Sequence, residues 1–423
     1  MIDNERRRVV ITGLGVVAPN GIGTEAFWHA TSRGISGIKA LPTNELTTAD
    51  SMRWTVGAIS NFIAEDYIDR KLINRSDRMT HFAFAAMQEA IADAELRIEQ
   101  ENPRRVGAVI ANTLGGAEYV LRQLAALYTR GPRFVSAYTA IAWLNVSNVG
   151  QAAIRYGIQG YCKTPVNDAA GGLDALGMAY NAIRRGSADI ILAGGCEAFL
   201  QPIFLQVLAQ QGICISGNDP HAYRPFDRRA NGLLMAEGAG ICILETYEHA
   251  RQRGARIYGE IVGYGQTNDA YGLATPSADG VQYARALRLA LTEANILPTD
   301  IAYLSLDGRA VPSFDMSEAR ALQQTFGEDL PCIPASVPRT MSGHSYAAAG
   351  AIDAITALLA LQHEIIPPTI NCEEPDPRYG LDIVQGVARP LPIVAKISKT
   401  PAVLIGGRGF GGTNVALALK KVV

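Results

Sequence analysis

Val166-Asn167-Asp168-Ala169-Ala170-Gly171-Gly172-Leu173-Asp174-Ala175-Leu176-Gly177 reads as a strand running into small residues and then into an amphipathic helix, with Ala169 at the turn. Many α/β enzymes place a nucleophile at such a turn, because the helix N-terminus offers free N–H groups and the positive end of its dipole. An alanine attacks nothing. The stretch has the architecture of a covalent site and lacks its nucleophile.

Working outward, apolar runs alternate as strands and helices. Arg8 to Thr12, Val106 to Ala111 and Asp189 to Gly195 read as buried strands, and Asp77 to Glu95 carries Phe82, Met87 and Ile91 at helical spacing. Ala117 to Tyr128 reads as a further helix. The second half echoes the first. Ile257 to Gly265 repeats the opening strand with its glycines, Gln282 to Ala294 reads as a helix, and Ile301 to Leu306 as a strand ending at Asp307-Gly308. Ala347 to Gln362 is a small-residue helix, and Ala402 to Gly406 and Val415 to Leu419 close the chain as strands. Two such halves predict an α/β fold of packed, pseudo-symmetric layers, 1–254 and 255–423, with the boundary near Arg251 to Arg256.

Gly13-Leu14-Gly15-Val16-Val17-Ala18 matches the loose G-x-G-x-x-[GA] pattern of dinucleotide sites. A Rossmann turn feeds straight into a helix, whereas Pro19-Asn20-Gly21 breaks one, and the acidic residue expected about 20 positions on is missing around Ser36 to Ala40. These glycines read as a structural turn, and no cofactor is expected.

The 423 residues are 48% apolar and 18% charged, with 42 glycines, an ordinary globular balance with ample core. A net charge of -2 argues against nucleic acid as the main partner. Cys162, Cys196, Cys214, Cys242, Cys332 and Cys372 form no CxxC pair, and read as reduced core residues rather than metal ligands or disulfides. The chain opens Met1-Ile2-Asp3-Asn4-Glu5-Arg6 and enters a strand at once, which predicts no signal peptide. No apolar run approaches the ~18 residues of a membrane span. A cytoplasmic protein with no bound metal is expected.

From end to end the chain resembles the thiolase-fold β-ketoacyl synthases, which elongate acyl chains on a carrier protein. Thr12 to Gly21, Arg224-Pro225-Phe226-Asp227, Glu237-Gly238-Ala239-Gly240 and Gly409-Phe410-Gly411-Gly412-Thr413-Asn414 carry the likeness, which is specific for the set and for no one stretch alone. The resemblance implies a layered αβαβα core. It also implies that a cysteine attacks the acyl thioester and two histidines polarise the malonyl carbonyl as carbon dioxide leaves. Those positions fall on Ala169, Asp307 and His344. The lysine five residues before the histidine falls on Arg339 and its acidic partner on Asp353, which keeps an ion pair without a titrating group.

Without a thiolate no acyl-enzyme forms. A carboxylate at 307 repels the enolate oxygen that an imidazole would stabilise, and one lost oxyanion donor costs about 10²–10³-fold in rate. The backbone N–H groups of Ala169 and Phe410 are expected to survive as oxyanion donors, with residues 409–412 as a gating loop. Cys162, a thiol seven residues upstream and in the strand, stands in the wrong place to substitute as nucleophile. His344 reads as a surviving donor or as a packed polar residue, and the loss of its partner favours the second.

The resemblance narrows to chain length factors, the ketosynthase β subunits of bacterial type II polyketide synthases, which pair with an active ketosynthase α subunit. Ala170 to Gly177, Ile141-Ala142-Trp143, Gly150-Gln151, Asp307-Gly308 with Val311-Pro312, and Tyr379 to Val384 carry it. In many such subunits the cysteine position holds a glutamine proposed to support malonyl decarboxylation, and Ala169 has no amide. The resemblance further implies that the growing polyketide threads into a tunnel at the dimer interface, capped by Ala117, Val120 and Leu124 on one helix face. Trp143 and Phe410 are placed along the same path. The small Ala117 implies a deep tunnel, although the three also read as core residues of a surface helix. The strand at about Gly160 to Val166 is expected to pair across a twofold axis, in an interface above about 2,000 Å². Acyl carrier protein is then met through the complex. Two other readings stay open: a malonyl-carrier-protein decarboxylase that makes the starter, and a degenerate homodimeric scaffold. Product length, and an aromatic against a reduced polyene product, stay open as well.

Overall fold

The computed structural model describes residues 7–41, 54–392 and 401–422. The opening Met1 to Arg6, on which the reading of no signal peptide rests, lies outside the described residues.

Two sets of five strands carry the chain. The first is β1 (Val9–Ala18), β2 (Val106–Ala111), β3 (Cys162–Lys163), β4 (Ile190–Glu197) and β5 (Gly238–Thr246). The second is β6 (Gly259–Asn268), β7 (Ile301–Ser305), β8 (Pro334–Ser336), β9 (Ala402–Arg408) and β10 (Thr413–Lys420). In space they run β1-β5-β4-β2-β3 and β6-β10-β9-β7-β8. In each set the first two pairings are antiparallel and the next two parallel. The second half is therefore a structural repeat of the first. Antiparallel pairing of β1 with β6, Val9 opposite Ile261, joins the two into one sheet.

Five helices set the layers: α1 (Arg78–Asp93), α2 (Ala117–Arg130), α3 (Gly171–Arg184), α4 (Val281–Ala294) and α5 (Ala349–His363). α1 packs on β1 and β5, α4 packs on β6 and β10, and α3 and α5 pack on each other and on strands of both sets. The result is the layered αβαβα core. α5 is buried without a break from Ala349 to Leu361, which explains a sequence apolar on every face.

The glycine motif lies inside β1, not at a turn, which corrects the sequence reading. Its purpose is close approach. A Cβ on Gly13 or Gly15 would collide with the carbonyl oxygens of Ala90 and Ala86 on α1. The repeat shows the same device: Gly263 and Gly265 lie directly under Ala290 and Ala286 of α4.

Two more expectations need correction. The strand expected over Gly160 to Val166 is only Cys162–Lys163, a short edge of the sheet. The cysteines are free, but Cys332 is exposed and Cys162 half-buried, so not all are core residues. Among the described residues no helix is long and apolar enough to cross a membrane, and no His/Cys/Asp/Glu cluster could hold a metal ion.

Candidate functional site

β3 leads through an extended segment to Asp168, which takes a left-handed φ of 50° and starts the single 3-10 turn Asp168–Ala170 ahead of α3. Ala169 is buried, with 4% of its surface exposed. It stands at the mouth of the α3 N-terminus, where the dipole would favour a thiolate, and offers a methyl group. Cys162 does not replace it: burial pushes its thiol up from the ordinary range, away from the reactive form.

One of the two backbone N–H groups expected to act as oxyanion donors is occupied. The Phe410 N–H donates to Asp168 Oδ2 at 2.9 Å, so the expectation that both backbone donors stay free does not hold. A carboxylate from the same turn takes the place that a substrate carbonyl oxygen would need.

Asp307, at the end of β7, is the centre of a fully buried ion cluster. Its Oδ2 accepts from Arg309 Nε at 3.0 Å and from Arg408 Nε at 3.2 Å, and its Oδ1 from Arg339 Nη1 at 3.4 Å. Glu318 accepts the Asp307 and Gly308 N–H groups at 2.9 and 3.0 Å and faces Arg408 Nη2 at 3.4 Å. Arg339 pairs through Nη2 with Asp353, placing that ion pair in direct contact with position 307. Three guanidiniums thus face three carboxyl groups. Burial alone would raise the Asp307 carboxyl, but Arg309, Arg408 and Arg339 together hold it far below the ordinary range. A buried cluster of this kind is held by its mutual pairing, since removing one partner strands the others, and Arg408 Nη1 alone of its guanidinium nitrogens has no partner among the described residues. Held ionised in this way, Asp307 itself has no proton to give.

His344 is fully buried, and burial, with Arg339 and Arg309 nearby, holds its pKa well below the ordinary value. Its Nδ1 accepts the Tyr346 N–H at 3.2 Å, so the proton of the neutral ring sits on Nε2, which has no partner among the described residues. The ring meets Tyr346 edge-on at 5.6 Å. It is a packed, neutral imidazole with one free donor.

α2 begins after the turn at Thr113 and Leu114, whose N–H groups donate to the buried Glu197 at the end of β4. Burial pushes the Glu197 carboxyl up to about 8. Along one face of α2 the exposure climbs from Ala117 (8%) through Val120 to Leu124 (41%). A cleft of about 740 Å³ lies beside the other face, lined by Asp77, Arg78, His81, Glu118 and Arg122, and the three proposed capping residues take no part in it. Trp143 stands 56% exposed, and its carbonyl accepts the Gly116 N–H at 3.1 Å, which ties it to the start of α2.

Sequence reasoning located Ala169, Asp307, His344, Arg339 and Asp353, and the structure brings 307, 344, 339 and 353 together. It missed Asp168, Arg309, Arg408 and Glu318. Asp168 lay in the quoted stretch and Arg309 two residues beyond Asp307, so an unexplained charge beside a degenerate position was the available signal.

Comparison with known proteins places the family. Residues 6–250 match the model of the β-ketoacyl synthase N-terminal domain and residues 258–373 that of the C-terminal domain. The chain is 38% identical over 98% of both lengths to the tetracenomycin polyketide synthase ketoacyl synthase beta subunit of Streptomyces glaucescens. It is 36% identical, over the whole of both chains, to 3-oxoacyl-[acyl-carrier-protein] synthase 2 of a Synechocystis strain. Two solved structures superpose with TM-scores of 0.89 over 99% of this chain and 100% of theirs. One is a ketosynthase of a type II PKS in complex with its acyl-carrier protein and bound to the hexaketide, at 33% identity. The other is the ishigamide ketosynthase/chain length factor, at 29%.

Proposed function

This chain belongs to the β-ketoacyl synthase family, and from that membership we propose that it is the non-condensing partner subunit, a chain length factor, of a type II polyketide ketosynthase heterodimer. The observation that carries the reading is the site itself. Ala169 offers no nucleophile, and the donor position at 307 is a carboxylate neutralised by three arginines. A condensing enzyme needs both a covalent acyl carrier and donors aimed at the developing charge.

The rest of the molecule suits a partner. Leu124, Ile141, Trp143, Leu144 and Val146, on or next to successive helices, expose large apolar side chains, which a lone globular surface seldom gathers. β3 is a short sheet edge, open to pairing with a second subunit. The tetracenomycin relative is itself named a beta subunit. In this reading the active α subunit carries the cysteine and receives acyl groups from the carrier protein in the cytoplasm. The polyketide then extends along α2, past Val120 and Leu124 towards Ala117, with Trp143 at the interface. The decarboxylase reading fares worse, because Asp168 occupies the Phe410 donor and Ala169 has no amide.

Reconstitution tests this. A cysteine-bearing ketosynthase from the same system, supplied with malonyl-carrier protein, should form its full-length product only when this chain is present. Ala117→Phe should shorten that product. Full-length product without the chain, or a spectrum unchanged by Ala117→Phe, contradicts the proposal.

A further inference from the structure

Asp168 has no task in the proposed function so far. Its left-handed backbone is a conformation that aspartate tolerates better than most residues with a side chain. The conformation is used: Oδ2 accepts the Phe410 N–H at 2.9 Å. A Cβ on Gly409 would lie 3.2 Å from Asp168 Cβ and 2.6 Å from the Asn167 carbonyl oxygen, so the backbone of residues 409–412 is pressed against this turn.

That loop packs against side chains around the degenerate site. The Phe410 ring meets Tyr346 edge-on at 6.4 Å, and Arg309 lies 5.7 Å from its centre. The far side of the loop is fastened by ordinary bonds. The Gly411 N–H donates to the Leu273 carbonyl at 2.7 Å, and Asn268 Nδ2 donates to the Gly411 carbonyl at 2.7 Å. The near side is fastened by a carboxylate, a stronger acceptor than a neutral carbonyl. Gly411 and Gly412, at φ 77° and 80°, leave the loop a backbone free to turn, so the fastening matters.

We propose that Asp168 is a positioning residue that latches the Phe410 loop shut over Ala169 and so excludes acyl chains from this subunit's own pocket. The latch rests on the non-condensing reading above and deepens it, because a silent site that opened would compete with the partner for the growing chain. An entering thioester carbonyl would have to displace the carboxylate from the Phe410 N–H before it could be held.

Ala169→Cys supplies a reporter thiol at the covered position, and iodoacetamide alkylation there is followed by peptide mass spectrometry, which separates it from the native cysteines. With Ala169→Cys alone, alkylation is slow. Adding Asp168→Ala speeds it by roughly tenfold or more, the weight of a lost hydrogen bond to a charged group. Adding Asp168→Asn, whose amide oxygen still accepts the Phe410 N–H, leaves it near the slow rate. Hydrogen exchange in the chain with native Ala169 gives a second readout: Asp168→Ala speeds the Phe410 amide and leaves the amides of β4 and β9 protected, which separates unlatching from unfolding. Equal alkylation with Asp168 and with alanine, or a Phe410 amide indifferent to Asp168→Ala, overturns the latch. Neither readout involves the ketosynthase partner, so a failed latch is distinguishable from a failed heterodimer.

Discussion

At Asp307 a single buried carboxylate is shared by three arginines. Asp307→Asn removes the one negative charge that Arg309, Arg339 and Arg408 share. The expected loss is about 3–5 kcal/mol of stability, read from urea unfolding. The sign with pH follows. The folded carboxyl titrates below its unfolded value, so its contribution is complete above about pH 4 and is lost as pH falls through the depressed folded value. Glu197 works the other way. Held up at about 8 by burial, it keeps a proton that the unfolded chain has released above about pH 4. Its contribution is complete below that unfolded value and is lost as pH rises towards 8, by about 1.4 kcal/mol per unit. Glu197→Gln should therefore flatten the fall of Tm between pH 5 and 8, and an unchanged slope would remove Glu197 as its source. The positions of Ala169, Asp307 and Arg339 were legible because motifs fix them by counting along the chain. Arg408 and Asp168 were not, because their partners, Asp307 and Phe410, are brought in by distant strands.

Among the elements, the paired glycines of β1 and β6 make the sharpest case. Gly15→Ala and Gly265→Ala each push a methyl group into a helix carbonyl, at Ala86 and at Ala286. Each should cost at least about 2 kcal/mol in denaturant unfolding. Gly150 is the control: it is helical, a Cβ there meets nothing within 4 Å, and Gly150→Ala should stabilise the lone chain by about 0.5–1 kcal/mol. Equal effects at all three would contradict the packing account. Helices and long strands were readable from periodicity, and α4 begins within one residue of its expected start. The glycine motif was misplaced into a turn because G-x-G alone does not say whether a ligand or a helix comes close. β3 came out short because it is an edge strand and Pro165, two residues past its end, has no N–H with which to extend a ladder.

For the whole molecule, the pseudo-symmetric repeat leaves two unequal ends. The β3 end is an open sheet edge, and the helices that follow β2 present exposed apolar side chains at Ile141, Trp143 and Leu144. A surface like that predicts a chain that behaves poorly alone and is protected by a partner. The repeat was visible in the sequence, where Ile257 to Gly265 echoes the opening strand. The unpaired face was visible only as an apolar run at 141–148, since exposure is a property of the folded surface. Native mass spectrometry of this chain, expressed alone and together with a cysteine-bearing ketosynthase from the same biosynthetic system, is the most direct test. A stable 1:1 heterodimer, with weak self-association of the lone chain, is the predicted result. A well-behaved homodimer that ignores the active ketosynthase would contradict it.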